Sequence, residues 1–215
     1  MINPIQADNV IQGILLSPNE TRSVEFKPSL SWSPKVDNFK RSHKLQEIIK
    51  SILGMSNIRD GGKIILGVVK DKTTGNYVAE GMKRKDLQTY DSDLIYQEIR
   101  IFGSPEPRFQ VLNIEHDGKN FIVFDVQDFL FSPVMCLNNK KLRKLDHIAL
   151  YIRTHKPETK KVTDQSEMRE LINLAVEKEL NSFSYRMGNL FKSMSKVHVT
   201  RTTDVQKFKK QRGNL

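Results

Sequence analysis

The sequence predicts an α+β fold in which a mixed β-sheet packs against three helices and is followed by a basic C-terminal tail. Residues 38–53 carry apolar side chains at helical spacing, which indicates a helix with one buried face. Residues 109–115 and 120–126 alternate apolar and polar side chains around a turn that contains Gly118, as in a β-hairpin. Beyond Phe183 the chain is strongly basic.

The first half of the chain alternates between helical and extended stretches. We expect a short helix or a lead-in strand at residues 1–16, a strand at 22–27 and the helix at 38–53. A turn follows at residues 61–62, both glycine, because glycine admits positive φ. Residues 63–69 are rich in β-branched side chains and are expected to form a buried strand.

The second half adds two helices, a short strand, the hairpin and a final strand. The predicted ranges are residues 77–82 (strand), 85–102 (helix), 109–115 and 120–126 (hairpin), 148–153 (strand) and 165–180 (helix). Asp164 is expected to cap the last helix, since its carboxylate can accept hydrogen bonds from the first helical N–H groups. The apolar positions of this helix are expected to face inward: Met168, Leu171, Ile172, Ala175 and Val176.

The charge distribution divides the chain into a core domain, residues 1–180, and a basic helical or disordered extension, residues 181–215. Eight basic residues follow Phe183, against the single acid Asp204, a net charge of +7: Arg186, Lys192, Lys196, Arg201, Lys207, Lys209, Lys210 and Arg212. We expect this tail to be poorly ordered from residue 196 and to attract polyanions.

Composition restricts the protein to a few classes. Apolar residues make up 38% of the chain and charged residues 28%, values typical of a soluble globular protein. The formal net charge of +10 favours nucleic acid as a partner. No apolar run approaches the roughly 18 residues of a membrane-spanning helix, and residues 1–10 lack a secretory signal, so we expect no membrane partner and a cytoplasmic location. The single Cys136 suits a reducing compartment and is expected in the core.

A short acidic motif coincides with the first predicted strand. Glu25 and Lys27 face one side of strand 22–27, where an exposed carboxylate can hold a divalent cation and the neighbouring ammonium can position a phosphate. Glu20 joins them only if the chain bends, because its odd offset from Glu25 otherwise places it on the opposite face. The alternatives are structural: Glu20 in a helical capping box that begins at Ser17, and Glu25 with Lys27 as an ordinary ion pair.

A longer pattern surrounds this motif. It runs in chain order through Glu20, Glu25, Phe26, Lys27, a helix, Asn57, Gly61, Gly62, Gly67, Val68 and an acidic residue, Asp71. This pattern resembles the core domain of the Schlafen family, which is also described as an AlbA-like nucleic-acid-binding domain. The resemblance covers residues 16–180 and implies a Schlafen-core-like fold.

The resemblance also implies a three-carboxylate metal site. By position, Glu20, Glu25 and Asp71 would ligate Mg²⁺ or Mn²⁺, and Lys27 would stabilise the charge that develops on a scissile phosphate. Two positions depart from the family pattern. The spacing from the asparagine to the first glycine is one residue longer, and Lys70 stands where the family has its acid, so Asp71 falls one residue late. We expect a bulge or turn near Lys70 to return the Asp71 carboxylate toward Glu25.

Basic residues along the chain are candidates for nucleic-acid contacts. One group lies on the outer face of helix 38–53, a second at the end of strand 148–153 and a third in the tail. The candidates are Lys40, Arg41, Lys44, Arg153, Lys156, Lys207, Lys209 and Lys210. Arg153 can contact a phosphate in a bidentate manner, or it can form an ion pair within the fold.

Three functions are consistent with these observations. The first is a metal-dependent endoribonuclease that cleaves structured RNA such as tRNA, as the resemblance implies. The second is a non-catalytic module that binds RNA or DNA, which the displaced Asp71 favours. The third is a subunit of a larger assembly, in which the basic tail contacts a protein partner or a second copy of the chain in a homodimer. Metal-dependent cleavage distinguishes the first function from the other two.

Overall fold

The structure is a computed structural model that describes residues 4–32, 43–137 and 142–212, with the backbone alone at residues 4–8 and 194–212. In chain order the described elements are α1 (Pro4–Leu16), β1 (Val24–Lys27), α2 (His43–Ser56), β2 (Gly62–Leu66), β3 (Val68–Lys70), β4 (Tyr77–Ala79), α3 (Arg84–Leu87), α4 (Ser92–Arg100), β5 (Gly103–Ser104), β6 (Arg108–His116), β7 (Lys119–Gln127), β8 (Met135–Cys136), β9 (Ala149–Arg153), β10 (Thr159–Lys161) and α5 (Gln165–Arg212). Helices and strands are mixed as predicted, so the α+β class is confirmed.

The first sheet has the strand order β1-β2-β7-β6. β1 runs parallel to β2, whereas β2, β7 and β6 pair in an antiparallel manner, so the sheet is mixed. β6 and β7 form the predicted hairpin, in which Asp117 and Gly118 have φ values of 49° and 69°. Positive φ at both central residues matches the twist of the flanking strands, and the hairpin prediction is confirmed.

One face of this sheet packs against α1, which confirms the helical alternative for the start of the chain. A buried cluster joins the two elements: Ile11, Leu15, Val24, Phe26, Ile65, Val68, Phe121 and Val123. Phe26 lies opposite Ile65 on the neighbouring strand, so their side chains share this face. Glu25 and Lys27 alternate with Val24 and Phe26 along β1 and therefore face the other side of the sheet, as predicted.

The other face of the sheet packs against α2, which corresponds to the predicted helix at residues 38–53. Residues 38–42 lie outside the described ranges, and the helix continues past the predicted end to Ser56. Its apolar stripe is buried as expected: Leu45, Ile48, Ile49, Ile52 and Leu53. This helix therefore supplies the hydrophobic cover on the side of the sheet that also carries Glu25 and Lys27.

The second sheet has the order β10-β9-β8-β5, and all its strands pair in an antiparallel manner. β9 confirms the strand predicted at residues 148–153. Asn57, which is 1% exposed, ties the end of α2 to this region through hydrogen bonds from its side-chain amide to the carbonyls of Val134 and Tyr151. Cys136 of β8 is fully buried, and burial raises its thiol pKa to about 12, so it is a core residue as expected.

The predicted strand at residues 63–69 is interrupted at Gly67, which has a φ of 103°. Its N–H donates to the carbonyl of Lys27 at 2.9 Å, and its own carbonyl accepts a hydrogen bond from the N–H of Gly81 at 2.8 Å. β3 therefore leaves the first sheet and pairs with β4. Glycine is the residue that tolerates this backbone conformation. A turn also follows Lys70, as expected, but the Asp71 carboxylate is held within that turn by Thr73 and Thr74.

The predicted helix at residues 85–102 is divided into α3 and α4. The carboxylate of Asp91 accepts hydrogen bonds from the N–H groups of Asp93 and Leu94 and thereby caps a new helix. The apolar spacing continues across this break, which explains why the sequence predicts a single helix.

α5 begins at its predicted cap, where the carboxylate of Asp164 accepts a hydrogen bond from the N–H of Glu167 at 2.9 Å. The helix then continues to Arg212, so the backbone of the basic extension is helical up to that residue. Between the core part and the basic part of this helix, the sequence contains no glycine or proline pair that would end it.

The chain divides into two compact units, residues 1–172 and residues 173–215. The first contains both four-stranded sheets, and the second is the later part of α5. Leu171 is buried as predicted, whereas Met168, Ile172 and Val176 are exposed and do not face inward. The helices within the described ranges include none with the length and apolar content that crossing a bilayer requires.

Replacing Gly67 by alanine is expected to lower the free energy of unfolding by about 1–3 kcal/mol, because the residue has a positive φ and its new Cβ would lie 2.8 Å from the backbone of Gly81. Gly75→Ala is the matched control, since Gly75 also has a positive φ but no atom within 4 Å of its Cβ position. Chemical denaturation measures both variants. Equal losses would show that the close approach to Gly81 is not what requires glycine.

Candidate functional site

Glu25 lies on β1, in register with Ile64 of β2, and it is the centre of the predicted site. Its side chain and that of Lys27 share one face, and the Lys27 ammonium also lies 3.8 Å from the carboxylate of Glu47 on α2. Glu25 is only 5% exposed, so the prediction of an exposed carboxylate is wrong. A buried carboxylate requires opposite charge nearby, because burying an unpaired charge is costly.

Two cations neutralise the Glu25 carboxylate. The Lys27 ammonium lies 2.7 Å from Oε1, and the Arg153 guanidinium donates to Oε2 at 2.8 Å. Each oxygen therefore accepts a charge-assisted hydrogen bond. Glu25 and Lys27 therefore form an ion pair, which is the structural alternative considered above. Arg153 on β9, distant in sequence, adds a second ion pair to Glu25.

Arg153 is 1% exposed and is engaged within the fold on every side of its guanidinium group. Nη1 bonds Glu25, Nη2 donates to the carbonyls of Thr21 and Val24 at 3.1 and 3.4 Å, and Nε donates to the carbonyl of Arg22 at 3.2 Å. This placement corresponds to the alternative of an ion pair within the fold. It does not support the phosphate contact that we predicted for this residue.

Glu20 precedes β1 at a bend between residues 20 and 24, and no helix begins at Ser17, so the capping-box alternative is wrong. Oε1 of Glu20 accepts a hydrogen bond from the N–H of Phe26 at 3.0 Å, and Oε2 accepts one from the hydroxyl of Tyr77 at 2.6 Å. The bend that its odd offset requires is therefore present. Glu20 links the backbone of β1 to the hairpin formed by β3 and β4.

Tyr77 is a site residue that the sequence analysis does not identify. Its ring lies 5.1 Å from the ring of Phe26, and the Lys70 ammonium lies 5.3 Å from its centroid. Burial and the hydrogen bond to Glu20 raise the pKa of Tyr77 to about 12, and the charges of Glu20 and Glu25 add to the effect. Both carboxylates therefore raise the pKa of this phenol. The pairing of β3 with β4 is what brings Tyr77 close to them.

Asp71 follows β3 and closes its own turn. Its Oδ1 accepts a hydrogen bond from the N–H of Thr73 at 2.7 Å, and its Oδ2 accepts one from the hydroxyl of Thr74 at 3.0 Å. These bonds, first the one from Thr73, lower the pKa of the Asp71 carboxyl group. The carboxylate therefore has a local structural role in the β3–β4 turn.

The three predicted metal ligands do not form a metal-binding group in this arrangement. A hard cation requires several oxygen ligands that converge on one point. Both oxygens of Glu20, Glu25 and Asp71 already accept hydrogen bonds or ion pairs from other groups. Over the part of the chain that the structure describes, no three His, Cys, Asp or Glu side chains lie close enough together to hold a metal ion. The donor set as placed does not fit Mg²⁺ or Mn²⁺.

The predicted nucleic-acid contacts are distributed over several elements. Lys44 on α2 and Lys156 after β9 are exposed. Lys40 and Arg41 lie outside the described residues. The side chains of three tail residues are also not described, although their backbone belongs to α5: Lys207, Lys209 and Lys210.

A run of three exposed basic residues, Lys83-Arg84-Lys85, is absent from the predicted contacts although it is visible in the sequence. The N–H of Lys83 donates to the hydroxyl of Ser29 at 2.9 Å, and Ser29 donates to the carboxylate of Asp86 at 2.7 Å. These bonds hold the run beside the loop that leaves β1 after Lys27. The basic run is a local signal, but its position next to the site depends on the fold.

Replacing Glu25 by glutamine is expected to lower the free energy of unfolding by about 3–5 kcal/mol, because the buried charge of Arg153 loses its carboxylate. Glu106→Gln is the control, since the Arg100–Glu106 ion pair is about half exposed and is worth at most about 1 kcal/mol. Denaturant titration measures both variants. A loss for Glu25→Gln as small as that of the control would contradict a structural role for the buried pair.

Comparisons with known proteins identify the family. The sequence profile described as "Schlafen, AlbA_2" matches residues 20–162. A search of curated proteins finds none that matches this chain. The solved structure of the DIP2311 protein from Corynebacterium diphtheriae is 16% identical, with a TM-score of 0.48, over 77% of this chain and 28% of that chain. The N-terminal domain of a RecG-related protein from Nitrosomonas europaea is also 16% identical, with a TM-score of 0.39, over 74% of this chain and 95% of that one.

The family match extends from the bend before β1 to the end of β10. It therefore contains both sheets and every residue of the predicted carboxylate site. The match covers about two thirds of the chain, and it agrees with the resemblance seen in the motif around Glu20 and Glu25. The chain belongs to the Schlafen AlbA_2 family, which points to a function connected with nucleic acid.

Proposed function

We propose that the protein binds RNA or DNA as a non-catalytic module. The observation that carries this choice is the state of Glu25, whose two carboxylate oxygens are held by Lys27 and Arg153. Freeing Glu25 for a metal ion would leave the buried Arg153 charge without its partner, which is costly. Family membership and the net charge of +10 support nucleic acid as the ligand.

The proposed contact surface, which we call the basic surface, consists of Lys70 and the run Lys83-Arg84-Lys85. Lys70 lies over the ring of Tyr77, and Ser29 holds the run beside the end of β1. The carboxylate of Glu25 is already neutralised within the fold by Lys27 and Arg153. The cations of the basic surface are therefore available to neutralise phosphates, and their combined field favours an anionic ligand.

Further basic residues extend the contacts beyond this surface. Lys44 and Lys156 are exposed on the first unit, and the basic residues of the tail continue along α5. Contacts from lysine and arginine to phosphates position a protein on nucleic acid without reading its sequence. We therefore expect recognition by shape and charge, with structured RNA such as tRNA as a suitable probe.

The double substitution Lys83→Gln/Lys85→Gln is expected to weaken binding and to reduce its salt dependence. Each neutralised phosphate contributes roughly 0.7–0.9 to the slope of log affinity against log salt concentration, so the slope should fall in magnitude by about 1.5. Fluorescence anisotropy with labelled tRNA and with a DNA duplex, repeated over a salt series, measures this slope for each protein.

The matched control is Arg100→Gln/Arg108→Gln, which removes the same charge from two exposed arginines outside the basic surface. Arg108 lies opposite Gln127, next to the start of β2, whereas the basic surface lies near the end of β2. The control should keep the wild-type slope. An equal fall of the slope in both double variants would show that binding depends on overall charge. An unchanged slope in Lys83→Gln/Lys85→Gln would show that the basic surface does not contact nucleic acid.

A metal-dependent endoribonuclease acting on structured RNA is the second candidate. The observation that favours it is that the charges of both Glu20 and Glu25 raise the pKa of Tyr77, so both carboxylates lie near this phenol. Neighbouring carboxylates are a common basis for a cation site. This candidate requires Glu20, Glu25 and Asp71 to leave their present partners and to ligate Mg²⁺ or Mn²⁺ together.

Incubation of the purified protein with total tRNA, with and without Mn²⁺, separates the two candidates. A binding module leaves the tRNA intact under both conditions. Glu20→Gln is the appropriate control variant, because the Glu20 carboxylate accepts hydrogen bonds from uncharged groups and its loss leaves no buried cation unpaired. Cleavage that requires Mn²⁺ and is lost in Glu20→Gln would overturn the non-catalytic proposal.

A further inference from the structure

The second unit carries an apolar stripe along α5 that the nucleic-acid function does not use. Among the residues whose side chains the structure describes, five apolar residues follow one another at intervals of four, three, four and three: Val176, Leu180, Phe183, Met187 and Leu190. This spacing is the heptad pattern, in which Leu180 and Met187 occupy a positions and the other three occupy d positions. The stripe therefore has the periodicity of a coiled-coil seam.

Four of the five stripe residues are exposed, and Met187 is half-buried. Leu180 is 60% exposed, Phe183 is 56% exposed and Leu190 is 54% exposed. Contiguous apolar surface of this kind marks an interaction site in a soluble protein, whereas single exposed apolar residues do not. A long helix with one apolar stripe also gains most of its stability from burying that stripe.

We propose that the stripe binds the same stripe of a second copy of this chain, in an antiparallel coiled coil. In the proposed register, Leu180 of each copy lies opposite Phe183 of the other copy, and Val176 lies opposite Met187. The proposal concerns the second unit alone and does not depend on whether the first unit binds or cleaves nucleic acid.

The charges beside the stripe favour the antiparallel orientation. Glu179 and Arg186 are seven residues apart and both flank the seam at g positions. In the proposed register, Glu179 of each copy faces Arg186 of the other, so that two ion pairs form across the seam. In a parallel pair, Glu179 would face Ser184 and Arg186 would face Phe191, and neither charge would meet an opposite charge.

The basic end of α5 supports the same orientation. From Phe191 onward the sequence holds seven basic residues and the single acid Asp204, a net charge of +6. A parallel pair would place two such segments side by side, and like charges at this distance repel. An antiparallel pair places them at opposite ends of the coiled coil and leaves both able to contact phosphates.

The mass in solution tests the proposal. Size-exclusion chromatography with light scattering, over a range of protein concentrations, should give twice the 24.9 kDa of the single chain. Phe183→Gln should raise the dimer dissociation constant by more than about a hundredfold, because it removes an apolar residue from the seam in both copies. Tyr185→Gln is the control, since Tyr185 is 72% exposed but lies on the opposite side of the helix from the stripe. A monomer at all concentrations would overturn the proposal.

A charge exchange tests the orientation. Glu179→Arg and Arg186→Glu should each raise the dimer dissociation constant by about tenfold, because each places like charges opposite one another. The double variant Glu179→Arg/Arg186→Glu should restore the wild-type constant, since the ion pairs re-form with reversed charge. A dimer that tolerates both single substitutions, or that the double variant fails to restore, would overturn the antiparallel arrangement.

Discussion

The buried ion pair between Glu25 and Arg153 is the interaction on which the arrangement of the core depends. It connects β1 of the first sheet with β9 of the second, and the side chains of Glu25 and Arg153 are 7% and 1% exposed. A buried pair of this kind is stable only when the remaining donors and acceptors are also satisfied. Arg153 meets this condition through three backbone carbonyls, and Glu25 meets it through Lys27. The pair therefore holds the bend before β1 as well as the two sheets.

The same bend determines what the acidic motif can do. It turns Glu20 toward the N–H of Phe26 and the hydroxyl of Tyr77, so that a carboxylate with an unfavourable sequence offset still reaches the site. Each carboxylate of the motif thus stabilises a particular contact of the fold. Nucleic-acid binding by the surrounding cations requires no change in these contacts, whereas metal-dependent cleavage requires several to break. This difference in cost is the physical basis for preferring the binding module.

In the two proposals the first unit binds nucleic acid, and the second unit contributes basic residues to this binding and also forms the dimer. A coiled coil formed by the second unit would present two copies of the first unit to the same nucleic acid. Linked binding sites raise the effective concentration of the second site once the first is occupied, provided that the geometry allows both to engage. Weak contacts to phosphates, each sensitive to salt, would then combine into a stable complex.

The sequence by itself determined the α+β class, the β6–β7 hairpin, the alternation of β1 and the start of α5, because these features follow from local periodicity and turn chemistry. The family motif was visible for the same reason. Tertiary structure decided the site. Glu25 meets Arg153 across 128 residues, and Glu20 meets Tyr77 across 57 residues. Local patterns carry no information about such pairings, and the break at Gly67 that creates the second one depends on the approach of Gly81 from the following segment.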